Sequence, residues 1–290
     1  LFRELNAQIA RLDPDFVVVG GDIAYTRGSR KGVLQGVEWE AKRWQLFFEE
    51  WQSAMVGADG RLIPLVAVLG NHDICSARGT KRRASYMFYD VFAFPQPLAA
   101  YRVLDVGEEL SLILLDTGHM TPIAGEQAAW LEGVLAEREE VPYKMAVYHV
   151  GAYPAVYKYG GRTATRVRES WCPLFDRYHV RLAFEHHSHA YKRTHPIQSG
   201  KVDPEGVVYL GDGCWGVSPR TTVSLKEAWY LARAASKNHF FLVSVNQNAC
   251  CVQAFGSEGQ LLDAVEVAPY RPLSGDEAFE EAGGACCEGR

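Results

Sequence analysis

Four short apolar runs constrain this chain most, because each stops at a side chain able to hold a cation. Phe16-Val17-Val18-Val19 runs into Gly20-Gly21-Asp22, and Ile63–Leu69 into Gly70-Asn71-His72-Asp73. Lys144–Tyr148 ends at His149, and Val180–Glu185 runs into His186-His187-Ser188-His189. Continuous β-branched and apolar runs bounded by glycine or polar turn residues are how parallel strands covered on both faces look. In open α/β layers the carboxyl ends of such strands line the ligand crevice. Four strand ends can therefore deliver a carboxylate, an amide oxygen and several imidazoles to one place.

The rest of the chain supplies the layers. Leu1, Leu5, Ile9 and Leu12 have helical spacing, and Val37–Val56 predicts a helix with Trp39, Trp44, Phe47, Phe48 and Trp51 as its apolar face. Leu110–Leu115 predicts a strand ending at Asp116, and Gly125–Glu137 a helix with Ala128, Leu131 and Leu135 inward. Val207–Leu210 predicts a strand before Gly211-Asp212-Gly213. Phe240–Val245, Cys250–Phe255 and Leu261–Val267 read as late antiparallel strands joined by polar turns. Strands alternate with helices early and pair with each other late, which predicts a layered α/β domain. No repeat or linker divides residues 1–268, whereas 269–290 is acidic and glycine-rich and is expected to be weakly ordered.

Composition excludes some classes. The 290 residues are 48% hydrophobic and carry a formal net charge of −5, so neither a nucleic-acid footprint nor a polybasic membrane anchor is present. No apolar run is long enough to span a bilayer. Seven cysteines occur and none forms a Cys-x-x-Cys pair, so a zinc knuckle is not expected, and the odd number leaves at least one thiol unpaired within the chain. The chain opens on Leu1-Phe2-Arg3 as if a helix were already under way, and we read it as starting inside a domain.

Each polar residue alone has an ordinary explanation. Asp22 after two glycines fits a turn or helix cap, Gly70-Asn71 a tight turn, and His149 a hydrogen-bonded core histidine. The histidine run is harder to dismiss, since His187 and His189 project from one face of an extended segment. Together the segments change the balance. Gly21-Asp22-Ile23-Ala24-Tyr25, Gly70-Asn71-His72-Asp73, His149 followed by Tyr153, and His187-Ser188-His189-Ala190-Tyr191-Lys192-Arg193 occur in order at strand ends. This set resembles the calcineurin-like metallophosphoesterases and, through Tyr25, their purple acid phosphatase branch.

The resemblance implies a four-layer α/β/β/α sandwich over residues 1–268, lacking its first strand. It implies hydrolysis of phosphate esters, phosphomonoesters foremost, by a dinuclear metal centre, with a phosphodiesterase or nucleotidase of the same superfamily as the alternative. One ion would take Asp22, Asn71, His149 and His187, and the other Asp22, Tyr25 and His189, with Asp22 bridging. Fe with Zn, Mn or Fe is the implied pair, and mixed N and O ligation suits such metals. Two ions about 3.5–4 Å apart clamp the attacking and leaving oxygens of a phosphoryl group. His72 would touch the substrate phosphate as proton donor or oxyanion stabiliser, or else orient Asn71 or Asp73. Asp73 is expected to orient His72, while Tyr191 and Arg193 either shape the pocket or simply pack. The partner would be a small phosphorylated substrate, and a secreted or periplasmic place follows from the resemblance alone.

Three departures stand out. The family's opening Asp-x-His or Asp-x-Gly is absent, which leaves the second ion three protein ligands and opens a competing reading, a degenerate metal- or phosphate-binding module without catalysis. Lys158 and Arg162 stand near where plant members carry a histidine pair, and either cation could hold a phosphate, so this loop is expected to set substrate preference. His186 replaces the usual Gly, as an extra ligand, a proton shuttle or a polar spacer, and Lys192 replaces the usual Glu.

Overall fold

The computed structural model describes residues 1–26, 37–74, 86–92, 99–211 and 213–271. In chain order its elements are α1 (Phe2–Arg11), β1 (Val17–Val19), α2 (Val37–Ala54), β2 (Leu65–Ala67), α3 (Tyr86–Val91), β3 (Arg102–Val106), β4 (Leu110–Leu115), α4 (Glu126–Ala136) and β5 (Tyr143–Tyr148). There follow α5 (Arg162–Ser170), α6 (Cys172–Arg177), β6 (Leu182–Glu185), β7 (Tyr191–Thr194), β8 (Ile197–Gln198), β9 (Lys201–Val202) and β10 (Val208–Gly211). The chain closes with β11 (Leu231–Ala235), β12 (His239–Val245), β13 (Cys250–Gly256) and β14 (Leu261–Val267). Most of the tail expected to be weakly ordered, from residue 272 on, lies outside the described residues.

A seven-stranded sheet in the order β11-β7-β10-β6-β5-β4-β3 forms one inner layer. Its β4, β5, β6 and β10 are mutually parallel. Alternate side chains divide between two cores, as the period of two requires. Ile113, Leu115, Ala146, Tyr148 and Ala183 face a core that includes Leu131 and Leu135 of α4 and Phe175 of α6. Leu112, Leu114, Met145, Val147, Leu182 and Phe184 face the other way, against Val66 and Val68 and against Cys250, Val252 and Val267. The second inner layer is thus the parallel pair β1-β2 and the antiparallel β12-β13-β14. Its outer side carries Ile9 of α1 and Trp44, Phe47 and Trp51 of α2 against Val19, Ala67 and Leu69. The result is the expected helix, sheet, sheet, helix order.

Both faces of β4, β5, β6 and β10 are covered, which is why their sequences are apolar throughout rather than alternating. Trp39 corrects the reading of α2. It is 39% exposed, because a residue five before Trp44 lies roughly 140° around the helix from the stripe of 44, 47, 48 and 51. Four of the cysteines, Cys172, Cys214, Cys250 and Cys251, are buried, and the other three lie outside the described residues.

Strand β7 was not legible as a strand, since Tyr-Lys-Arg-Thr carries two cations. It lies inside the sheet between β10 and β11 because Lys192 has a buried partner. The ammonium pairs with Glu185 and donates to the Tyr153 carbonyl, and both charged side chains are fully buried. Glu185 also accepts from the Tyr148 hydroxyl at 2.7 Å and the Ala152 N–H at 2.7 Å. Removing one member of a buried pair strands the other charge, at a cost of about 3–5 kcal/mol. Lys192→Met is expected to destabilise the chain by that amount in urea unfolding, whereas the double variant Lys192→Met with Glu185→Gln should recover part of the loss.

Candidate metal centre

The parallel strands set the site. Strands β1 and β2 run side by side in register, Val19 opposite Ala67, so the turns after them lie against each other. Gly70 permits the approach: a Cβ there would stand 2.2 Å from the Asp22 nitrogen. Asp73, fully buried, ties the two turns together. Its carboxylate accepts N–H bonds from Asp22 at 2.7 Å, Ile23 at 2.9 Å and Gly70 at 2.9 Å. Asp22 Oδ1 in turn accepts the His72 N–H at 2.6 Å. Burial first, and then the neighbouring Asp22 charge, push the Asp73 carboxyl up to about 7, against the pull of these N–H donors.

His149 is the centre of the cluster. It follows β5 directly, and its side chain is 1% exposed. Its Nδ1 lies 2.9 Å from the Gly20 carbonyl, an acceptor only, so Nδ1 carries a proton. In the neutral ring Nε2 is then a bare lone pair. Asp22 Oδ2, Asn71 Oδ1 and His187 Nδ1 each lie 3.2 Å from it. Asp22, His149 and His187 bring ligand atoms within 4.8 Å of one another. Burial lowers the proton affinity of His149, but the Asp22 carboxylate outweighs it and the net shift is upward. Burial also works against the Asp22 charge, yet His149 and the His72 N–H hold that carboxyl well below the ordinary range. Four acceptor atoms around one point fit a cation, and one carboxylate, one amide and two imidazoles are the donor mixture of a first-row divalent metal.

A second grouping adjoins the first. The Tyr25 hydroxyl lies 3.1 Å from His189 Nε2, and the Tyr25 ring stacks on His72 at 4.6 Å between centroids. Burial and the Asp22 charge push the Tyr25 phenol far above its usual range, so a phenolate there needs a cation beside it. Backbone strain marks the same place. Asp22, Tyr25 and His189 are three of the six non-glycine residues with positive φ among the described residues, at 55°, 50° and 58°. Such conformations cost of order 1 kcal/mol or more each and gather at functional sites.

The sequence pattern of the calcineurin-like phosphoesterases matches residues 1–191. The chain belongs to that family. Purple acid phosphatase 15 of Arabidopsis thaliana is a relative of this calcineurin-like phosphoesterase, 26% identical over 215 residues. The alignment covers 69% of the chain but 40% of that relative, so the chain spans well under half of its length. Among solved structures, purple acid phosphatase PPD1 from yellow lupin (Lupinus luteus) aligns with a TM-score of 0.68 at 16% identity, over 92% of this chain and 48% of that one. GAP50, described as the anchor in the inner membrane complex of Plasmodium, aligns at 0.59 and 12% identity, over 93% of this chain and 85% of that one. These two likenesses concern the fold.

The remaining expected residues fall elsewhere in this phosphoesterase. His186 does not join the cluster of four: its Nδ1 meets the Tyr148 carbonyl at 3.0 Å and its ring fills the space a Cβ on Gly20 would need. Asp73 holds the Asp22 turn through backbone N–H groups. Tyr191 and Arg193, expected either to shape the pocket or simply to pack, are engaged by Asp263 of β14, at 2.6 Å each. They join the central sheet to the second one. Lys158 and Arg162 are exposed.

Three residues near the cluster escaped the sequence reading. The buried His119 ring lies 5.6 Å from that of His149. The Tyr157 ring stacks on His187 at 5.1 Å and 22°. Arg220 reaches the Tyr157 hydroxyl, and its backbone N–H donates to the His189 carbonyl at 2.9 Å. His119 follows the strand-end Asp116 by three residues, a signal that was available, whereas Tyr157 and Arg220 carry none.

Metal titration by calorimetry with Zn²⁺ or Mn²⁺ tests the cluster. His149→Ala is expected to weaken binding by at least about 100-fold, since losing even an outer partner of a ligand costs 10–100-fold. His186→Ala should leave the affinity within a few-fold.

Proposed function

We propose that the chain hydrolyses phosphate esters, phosphomonoesters foremost, with a dinuclear centre of the purple acid phosphatase kind. The observation that carries this reading is the meeting of Asp22, Asn71, His149 and His187 at the carboxyl ends of parallel strands, with the Tyr25–His189 pair beside Asp22. In this reading Asp22 bridges two ions, Asn71, His149 and His187 complete one set, and Tyr25 and His189 belong to the other. Fe with Zn, Mn or Fe suits the donors. When bound, the ions supply charge neutralisation at the phosphoryl oxygens and a hydroxide at moderate pH.

The protein's own part is positioning and proton handling. Asp73 and the Gly20 carbonyl fix the Asp22 turn and the His149 ring before anything binds. The His72 N–H braces Asp22 while its ring lies on Tyr25, where it can reach an ester oxygen next to the ligand set and donate a proton or stabilise charge. A phosphodiester or nucleotide would use the same residues. The small phosphorylated partner and a secreted or periplasmic place belong to the same proposal and come from the resemblance.

The competing reading is a metal- or phosphate-binding module without turnover.

An aryl phosphate assay with added Mn²⁺, Zn²⁺ or Fe separates the two. The wild type is expected to release phosphate, Asp22→Asn to lose at least about 1,000-fold in kcat/KM, and His72→Ala to lose about 100- to 10,000-fold in kcat. Metal binding without turnover under any of these metals would establish the non-catalytic module instead.

A further inference from the structure

The wall over His187 is built from two loops that follow β5 and β10. The Val223 N–H donates to the Ala155 carbonyl at 2.8 Å, and the Tyr230 hydroxyl donates to the Pro154 carbonyl at 2.9 Å. At the inner end of this wall Tyr157 lies flat on the His187 ring while remaining 41% exposed. Arg220 donates to its hydroxyl from the other loop. The Arg220 backbone is held on both sides, by His189 and by the Ser236 hydroxyl that donates to its carbonyl at 2.7 Å.

The guanidinium is the part that bears on a ligand. Arg138, Arg177, Arg181 and Arg193 each pair with a carboxylate. Among the described residues no carboxylate lies within ion-pair distance of Arg220, and the neutral Tyr157 hydroxyl is a weak acceptor for a fork with five N–H groups. Its backbone N–H on the His189 carbonyl, and its contact with the Tyr157 that stacks on His187, set this cation beside the ligand residues. A half-buried guanidinium, fixed at its backbone beside His189 and lacking an anion, matches the bidentate geometry of a phosphoryl group.

We propose that Arg220 binds the phosphoryl oxygens of the substrate, with Tyr157 as the positioning residue that holds the guanidinium and the His187 ring in fixed relation. This rests on the phosphoesterase reading and assigns the phosphate-holding cation to Arg220 in place of Lys158 or Arg162. Both of those are exposed.

The test uses the full chain loaded with Mn²⁺ or Zn²⁺. Two measurements are made on Arg220→Ala, Arg220→Lys, Tyr157→Phe and Lys158→Ala: calorimetric titration with inorganic phosphate, and steady-state kinetics on phenyl phosphate. An Arg–phosphate contact present in both ground and transition states shows in KM with kcat little changed. Arg220→Ala should weaken phosphate binding and raise KM by about 10- to 100-fold. Arg220→Lys should recover part of that loss, and Tyr157→Phe, which keeps the stack but removes the hydroxyl, should lose about 2- to 5-fold. A larger loss of phosphate affinity in Lys158→Ala than in Arg220→Ala would return the contact to the Lys158 loop and overturn the proposal. Equal phosphate affinity in wild type and Arg220→Ala overturns the proposal, as does a wild type that binds no phosphate. Should the wild type bind phosphate but hydrolyse nothing, the hydrolase reading falls while the titration still decides the role of Arg220.

Discussion

A single carboxylate organises this molecule's front edge. Asp73 has no exposure, and its two oxygens take N–H groups from the turns after both β1 and β2. Those turns hold Asp22 and Asn71. Without a carboxyl group there, three backbone donors would lose their acceptors, each costing about 1–3 kcal/mol. The positive φ at Asp22 is sustained by the same bonds. What the rest of the cluster meets is therefore a prepared surface: His149 from β5 finds Asp22 and Asn71 already in place, and His187 closes from the neighbouring β6.

The electrostatics follow from packing the cluster so tightly. Asp22 stays ionised because His149 and the His72 N–H face it, while Asp73 is pushed up by burial and by Asp22. His149 gains proton affinity from Asp22, so in the metal-free chain a proton can occupy the place that suits a metal ion. Metal binding at this point is consequently a competition with protons, and affinity should depend on pH for a reason visible in the ring's contacts.

Much of the architecture was legible because the inner strands are covered on both faces. A strand such as Leu110–Leu115 has no polar side and cannot be mistaken for a surface element. The four ligand-bearing turns were legible because each begins where such a run stops. What escaped notice had no such contrast. Strand β7 hides two cations inside the sheet, one neutralised by Glu185 and one by Asp263. Strand β3 lies at the sheet edge with its last three residues exposed. Tyr157 and Arg220 stand 63 positions apart and meet only through the pairing of two loops, which no local spacing reports. His186 belongs to the same class: its ring serves the packing over Gly20, a role that becomes visible only when the turn after β1 meets the end of β5.

The Glu185–Lys192 pair carries an implication for how this sequence can drift. Position 192 is basic and faces a carboxylate in a dry interior. An acidic residue there would set two anions against each other, and a neutral residue at 185 would leave an ammonium without a counter-charge. The two positions are thus coupled: neither charge is free to change while the other stays.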